Sequence, residues 1–306
     1  MSSFVEGAVR VTVPATSANL GPGFDALGLA LSLRDELSAE VTGSGLDIEV
    51  SGEGAHAVPL DESHLVVRSM RAAFDVLGHQ PAGLSLRCTN NIPHARGLGS
   101  SSAAIVAGLS LARALVPGGS LVMDDDAVFR LAAEIEGHPD NVAPAFYGGF
   151  VISGQEDGRF FAALSSVDPR VSAVVLVPPT GVETKVARGL LPATVPHADA
   201  AANSGRTALL VAALAGQPEL LLTATRDYLH QDYREPAMPA SLALIKSLRA
   251  DGIAAIVSGA GPTVLAFTDG PAAATGLGAP QVLLDRCPEG WRAHHLSVER
   301  QGVLIS

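Results

Sequence analysis

The chain has 306 residues, 47% hydrophobic and 17% charged, with Lys+Arg 20 against Asp+Glu 31 and a formal net charge of −11. At roughly 150 residues per domain this predicts two cores, excludes a peptide hormone or disulfide-stapled scaffold, and is too apolar for intrinsic disorder. The acidic balance without a basic cluster speaks against a nucleic-acid partner.

The longest uncharged run, Gly252 to Thr268, is broken by Ser258-Gly259-Ala260-Gly261-Pro262 and falls short of the ~20 apolar residues of a spanning helix, so no membrane partner is expected. Cys88 and Cys287 stand far apart without metal-ligand spacing, which points to a reducing compartment. Met1 to Glu6 lacks a basic stretch followed by an apolar one, so the expected location is cytoplasmic.

In chain order, Val9 to Val13 alternates as a strand and stops at Pro14, and Asn19 to Asp25 is turn-rich. His64 to Leu77 carries an apolar face at helical spacing and closes at Gly78. A strand at Leu84 to Cys88 and a loop from Asn90 to Gly99 lead into a helix whose apolar period runs from Ala103 to Val116. Asp125 to about Glu136 forms another helix, with three aspartates at its positive end and Gly137 and Pro139 stopping it. Gly158 to Pro169 is the expected boundary, closing a hairpin before a buried strand at Val171 to Val177. Beyond it the pattern predicts helices at Thr184 to Leu191, Ser204 to Ala215, Glu219 to Tyr228 and Ala240 to Ala250. Strands are expected at Ile253 to Val257, Thr263 to Thr268, Val282 to Leu284 and Ala293 to Val298. Without regular βαβ repetition the fold class is α+β.

Ile92-Pro93-His94-Ala95-Arg96-Gly97-Leu98-Gly99-Ser100-Ser101-Ser102-Ala103 is the stretch richest in chemistry. Its glycines let backbone approach a ligand, and its serines sit where unpaired N–H groups leave a helix N-terminus, a geometry suited to polyphosphate. By itself it reads equally as a serine-capped helix after a glycine turn. A Walker loop is excluded, since no lysine precedes Lys185, and the glycine spacing is wrong for a dinucleotide fingerprint.

These residues resemble the phosphate loop of the GHMP kinase superfamily. Pro14 to Leu31, containing Asn19-Leu20-Gly21-Pro22-Gly23-Phe24-Asp25, is similar to the N-terminal motif of its homoserine kinase family, and Glu134 to Pro144 resembles the second motif. The resemblance implies a two-domain architecture with an N-terminal domain like ribosomal S5 domain 2 (residues 1–165) and a ferredoxin-like C-terminal domain (166–306). It further implies ATP and Mg²⁺ as cofactors, L-homoserine as the small-molecule partner, and phosphorylation of its side-chain hydroxyl for threonine synthesis. It leaves a homodimer possible.

Residue by residue, the nucleotide would meet Pro93, His94, Ala95, Arg96, Gly97, Leu98, Gly99, Ser100, Ser101, Ser102 and Ala103. Asn19, Asp25, His138, Asn141, Arg188 and Arg234 would hold the amino acid, with Asn141 and Arg188 also catalytic. Mg²⁺ would bind Ser101 and a glutamate; Glu134 and Glu136 flank opposite sides of the helix stripe, and the Glu-Gly match favours Glu136. Val257 to Val264 resembles a third, glycine-rich motif expected near the phosphate loop. Two other readings stand beside this one: another small-molecule GHMP kinase, and a sensor that keeps the fold without turnover.

Overall fold

A computed structural model describes residues 4–268 and 276–306, so Met1 to Ser3 of the N-terminal reading lie outside it. The elements are β1 (Val9–Ala18), β2 (Leu27–Thr42), β3 (Gly45–Gly52), α1 (Leu65–Leu77), β4 (Gly83–Asn90), α2 (Ser100–Leu115), α3 (Gly119–Val122), α4 (Asp125–Glu136), α5 (Val142–Tyr147), β5 (Phe150–Glu156) and β6 (Arg159–Ser165). Then follow β7 (Ser172–Val177), α6 (Thr184–Gly189), α7 (His197–Gly216), α8 (Leu221–Ala224), α9 (Pro239–Ala250), β8 (Ala255–Val257), β9 (Val264–Phe267), α10 (Pro280–Asp285), β10 (Arg292–Ser297) and β11 (Leu304–Ile305).

A seven-stranded sheet runs β11-β1-β2-β4-β3, with β5 pairing the start of β2 and β6 continuing from β5. Helices α1 and α2 pack together against it, burying Met70, Phe74, Ile105 and Leu109 with Val13, Leu29 and Leu86 of the strands. The second sheet, β10-β7-β9-β8, is antiparallel and four-stranded, and α9 covers it through Leu242, Ile245 and Leu248. The chain ends by returning to the first sheet, where Arg34 donates to the Gln301 (3.1 Å) and Gly302 (2.6 Å) carbonyls. Among the described residues no helix is long and apolar enough to cross a membrane.

The α+β class and the helices α1, α2, α4 and α9 follow the sequence periodicity, with Gly78 and Gly137 closing α1 and α4 in the left-handed conformation. Four expectations are corrected. β1 does not stop at Pro14 but runs to Ala18, because a register shift between Pro14 and Ala15 accommodates the missing N–H at a bulge. Val282 to Leu284 lies in helix α10, where Pro280 occupies the first turn and Leu283 alone is buried; three apolar residues are too few to distinguish the periods. The helix expected at Glu219 to Tyr228 ends at Ala224, where Thr225 turns its hydroxyl onto the Leu221 carbonyl (2.7 Å) and Asp227 takes up the next free N–H groups. The helix expected from Ser204 begins earlier, at His197.

Candidate active site

The phosphate loop is held from below. The buried carboxylate of Asp35 accepts the N–H groups of Asn91 (2.6 Å) and Ile92 (2.8 Å), and burial pushes its pKa up to about 6. Gly97 and Gly99 take left-handed φ values of 74° and 71°, and neither tolerates a side chain. A Cβ at Gly97 would lie 2.1 Å from the Ser258 carbonyl oxygen, and one at Gly99 1.9 Å from Thr16 Oγ1. Gly99 caps α2, so the N–H groups at Ser100, Ser101 and Ser102 leave the helix end without intrahelical partners.

Not every residue of the motif faces the resulting space. Ala95, Gly97, Gly99, Ser100 and Ser101 line a cavity of about 250 Å³, whereas Pro93, Leu98, Ser102 and Ala103 are buried supports. His94 sits beside Asn90 (3.5 Å), and Arg96 turns its guanidinium onto the carbonyls of His94 (2.9 Å), Pro178 (3.0 Å) and Pro179. The third glycine-rich motif lies against the loop: Ser258 Oγ donates to the Gly97 carbonyl (2.6 Å) and can accept from the Ser17 hydroxyl (2.8 Å). Gly259, Ala260 and Gly261, part of the motif expected near the loop though not named as site residues, thereby become cavity wall, as do Val182 and Thr184, which were not named as site residues either. The first three were visible as a glycine turn; the last two carry no local signal.

Glu136 ends α4 at the same cavity, and its Oε1 accepts hydrogen bonds from Ser101 Oγ (2.6 Å) and Ser102 Oγ (3.0 Å). Glu134 is exposed on the other flank of the helix and lines none of this space, which separates the two glutamates where helical geometry alone could not.

The far end of the cavity is cationic. Arg188 grips Asp25 with two parallel hydrogen bonds (2.9 and 2.5 Å), and that bond raises the Arg188 pKa. Arg234 is fully buried, donates Nη1 to the Gly259 carbonyl (2.9 Å) and has no partner at Nε. Burial, then the nearby Arg188, push its pKa down to about 10. Both guanidinium groups lie over the Phe24 ring, at 5.4 and 5.7 Å from its centre. Asn19, at a φ of 52°, accepts the Asp25 N–H through Oδ1 (2.8 Å), so it stabilises the turn and also lines the cavity. Asp25 does not line the cavity itself and reaches it through Arg188.

His138 and Asn141 complete the wall. His138 Nδ1 bonds the buried Asp140 (2.7 Å); burial alone would lower the imidazole pKa, but the Asp140 hydrogen bond and charge outweigh it and the net direction is up. Asn141 Oδ1 accepts from Thr16 Oγ1 (2.9 Å), which orients that amide. A second cavity of about 250 Å³, more apolar and also bordered by Ser100 and Ser101, opens between Leu37, Val58, Pro59, Leu65 and His94. It draws on separate elements, so no contiguous motif announces it.

Models of the GHMP kinases match the chain in two places, the N-terminal domain over residues 64–149 and the C-terminal domain over residues 209–278. The homoserine kinase of Streptomyces avermitilis is 55% identical over 99% of this chain and 97% of its own length. That of Clavibacter michiganensis is 48% identical, covering 97% and 93%. Among solved structures, a homoserine kinase from Cytophaga hutchinsonii superposes with a TM-score of 0.84 at 26% identity, over 100% of this chain and 99% of that one.

Proposed function

The chain belongs to the homoserine kinase family of the GHMP kinases, and on that premise we propose that it transfers the ATP γ-phosphoryl group to the side-chain hydroxyl of L-homoserine. The products are ADP and O-phospho-L-homoserine, in the cytoplasmic synthesis of threonine. The observation that carries the substrate is the pairing, on one cavity, of the Gly97 to Ser102 loop with Arg188 and Arg234. The loop suits a polyphosphate, and two arginines suit the carboxylate of a free amino acid.

In this reading residues 1–165 carry the phosphate loop and residues 166–306 supply both arginines, with β11 returning to the first sheet. The N–H groups of Gly97 to Ser102 cradle the phosphates, and the apolar second cavity, adjoining at Ser100 and Ser101, takes the base. Arg188 and Arg234 bind the substrate carboxylate. Asn19 and His138 border the amino acid, the Asp25 carboxylate behind Arg188 sets the electrostatics for its ammonium group, and Asn141 orients the hydroxyl.

Among the described residues no group of three or more His, Cys, Asp or Glu side chains converges as a metal site. Mg²⁺ needs no such cluster beside a nucleotide, because one or two protein oxygens with phosphates and water satisfy it. Ser101 Oγ and Glu136 Oε1, 2.6 Å apart, are oxygen donors of that kind at the loop and would hold it. When bound, the ion neutralises phosphate charge. Arg188, also at the cavity, stabilises the charge that accumulates on the transferring group, so catalysis is positional and electrostatic.

The test is Mg²⁺-dependent ADP release with L-homoserine against mevalonate, galactose, L-serine and L-threonine, with the product identified. Selective formation of O-phospho-L-homoserine supports the proposal. Release with another alcohol instead would retain the kinase and discard this substrate, while nucleotide binding without turnover would favour a sensor.

A further inference from the structure

Arg188 stands on a weak support. Helix α6 has six residues, no side-chain cap and a single buried side chain, Ala187, and a helix that short is not stable by itself. It hangs from the segment that leaves the end of β7 at Val177, and that segment lies on the phosphate loop. Arg96 spans the contact, with Nε donating to the Pro178 carbonyl (3.0 Å), Nη2 to the Pro179 carbonyl and Nη1 back to the His94 carbonyl (2.9 Å). Two residues before α6, the Val182 N–H donates to the Ala95 carbonyl (3.2 Å). The approach leaves no room for a side chain: a Cβ at Gly181 would lie 2.3 Å from Arg96 Nη1 and 2.7 Å from the Ala95 carbonyl oxygen.

Three nitrogens of one planar group are therefore committed to backbone carbonyls, and none of these bonds is to the space where phosphates would lie. We infer that Arg96 is a positioning residue that staples the Pro178–Val182 segment to the phosphate loop, holds Arg188 against Asp25, and so couples the nucleotide and amino-acid ends of the cavity. This rests on the proposed amino-acid role of Arg188. It also reassigns Arg96 from the nucleotide contacts that the loop motif implies. The planar fork matters, because a lysine ammonium cannot reach the same three acceptors in one plane.

The experiment uses the full chain with Arg96→Met and Arg96→Lys, varying L-homoserine and ATP independently. Arg96→Met should lower kcat/KM for L-homoserine by about tenfold, through a raised KM for L-homoserine together with a lowered kcat, with the KM for ATP changed by less than about twofold. Arg96→Lys should show an intermediate loss, and serves alone if the methionine variant does not fold. In an Arg188→Ala background, Arg96→Met should add less than about twofold, since the contact it serves is already gone. A raised KM for ATP with an unchanged KM for L-homoserine would make Arg96 a phosphate ligand and overturn the inference. Losses that multiply in the double variant would overturn it too. If Arg188→Ala alone leaves L-homoserine kinetics unchanged, the role of Arg188 falls and the inference with it; if Arg188→Ala is impaired and Arg96→Met is not, the inference alone fails.

Discussion

Replacing Arg234 with methionine separates the cost of a buried charge from its use. The guanidinium is fully buried and its pKa is pushed down to about 10, first by burial and then by Arg188. The gap to an ordinary arginine corresponds to roughly 3 kcal/mol of unfavourable charge burial in the free protein. Because the folded value lies below the unfolded one, the penalty is fully present at pH 7 and is relieved only as pH rises through about 10 and beyond. Against it, Arg234→Met forfeits the hydrogen bond to the Gly259 carbonyl, a loss of about 1–3 kcal/mol. The free variant should therefore be as stable as the parent or up to about 2 kcal/mol more stable, a rise in Tm of a few degrees.

Substrate use should move the opposite way. Losing one cation of a desolvated carboxylate site costs about 2–5 kcal/mol, which is about 30-fold to several thousand-fold in kcat/KM for L-homoserine. ATP affinity should be spared. Ligand-free thermal melts at pH 7, steady-state kinetics and a nucleotide titration together read the result. An unchanged kcat/KM would remove Arg234 from the amino-acid site, and destabilisation beyond about 2 kcal/mol would refute the electrostatic account.

Glu136→Gln should raise the Mg²⁺ concentration needed for half-maximal rate and lower kcat by about a hundredfold or more, while Glu134→Gln should stay within about twofold of the parent; equal effects would contradict the assignment of Glu136. Asp25→Asn weakens the paired grip on Arg188 and removes the carboxylate proposed to set the electrostatics for the ammonium group, so it should impair L-homoserine more than its deaminated analogue 4-hydroxybutyrate. Competition assays with both compounds decide this, and equal losses would leave Asp25 a purely structural partner. For Asp35, a pKa raised by burial to about 6 means that the stability contributed by the neutral form is present in acid and is lost as pH rises from near 4 through about 6. Asp35→Asn, which keeps an oxygen for the Asn91 and Ile92 N–H groups, should stabilise the protein by about 1–2 kcal/mol at pH 8 and by much less at pH 4.5, as read by urea unfolding. A gain independent of pH would argue against a buried carboxylate there.

Much of the architecture is written locally. α1, α2 and α4 show a 3.6-residue apolar period over three or more turns, and Gly78 and Gly137 mark ends that only a left-handed residue closes easily. The Gly97-Leu98-Gly99-Ser100 run is likewise legible, because a backbone ligand site demands glycine and a helix start at fixed spacing. Short or bent elements are not: Val282 to Leu284 is too brief to show a period, and the bulge that carries β1 past Pro14 depends on the facing strand. The sequence by itself thus determined the fold class, the glycine-serine loop at the start of α2 and, through motif resemblance, most but not all of the residues that line the cavity, Asn19, His138, Asn141, Arg188 and Arg234 among them. Tertiary structure alone decided which of Glu134 and Glu136 faces Ser101, that Asp25 pairs with Arg188, and that Arg96 grips a distant segment rather than the cavity. Periodicity and caps are encoded within a turn or two of chain, whereas these contacts join residues 35, 163 and 82 positions apart, and their geometry exists only after the sheets and helices have packed.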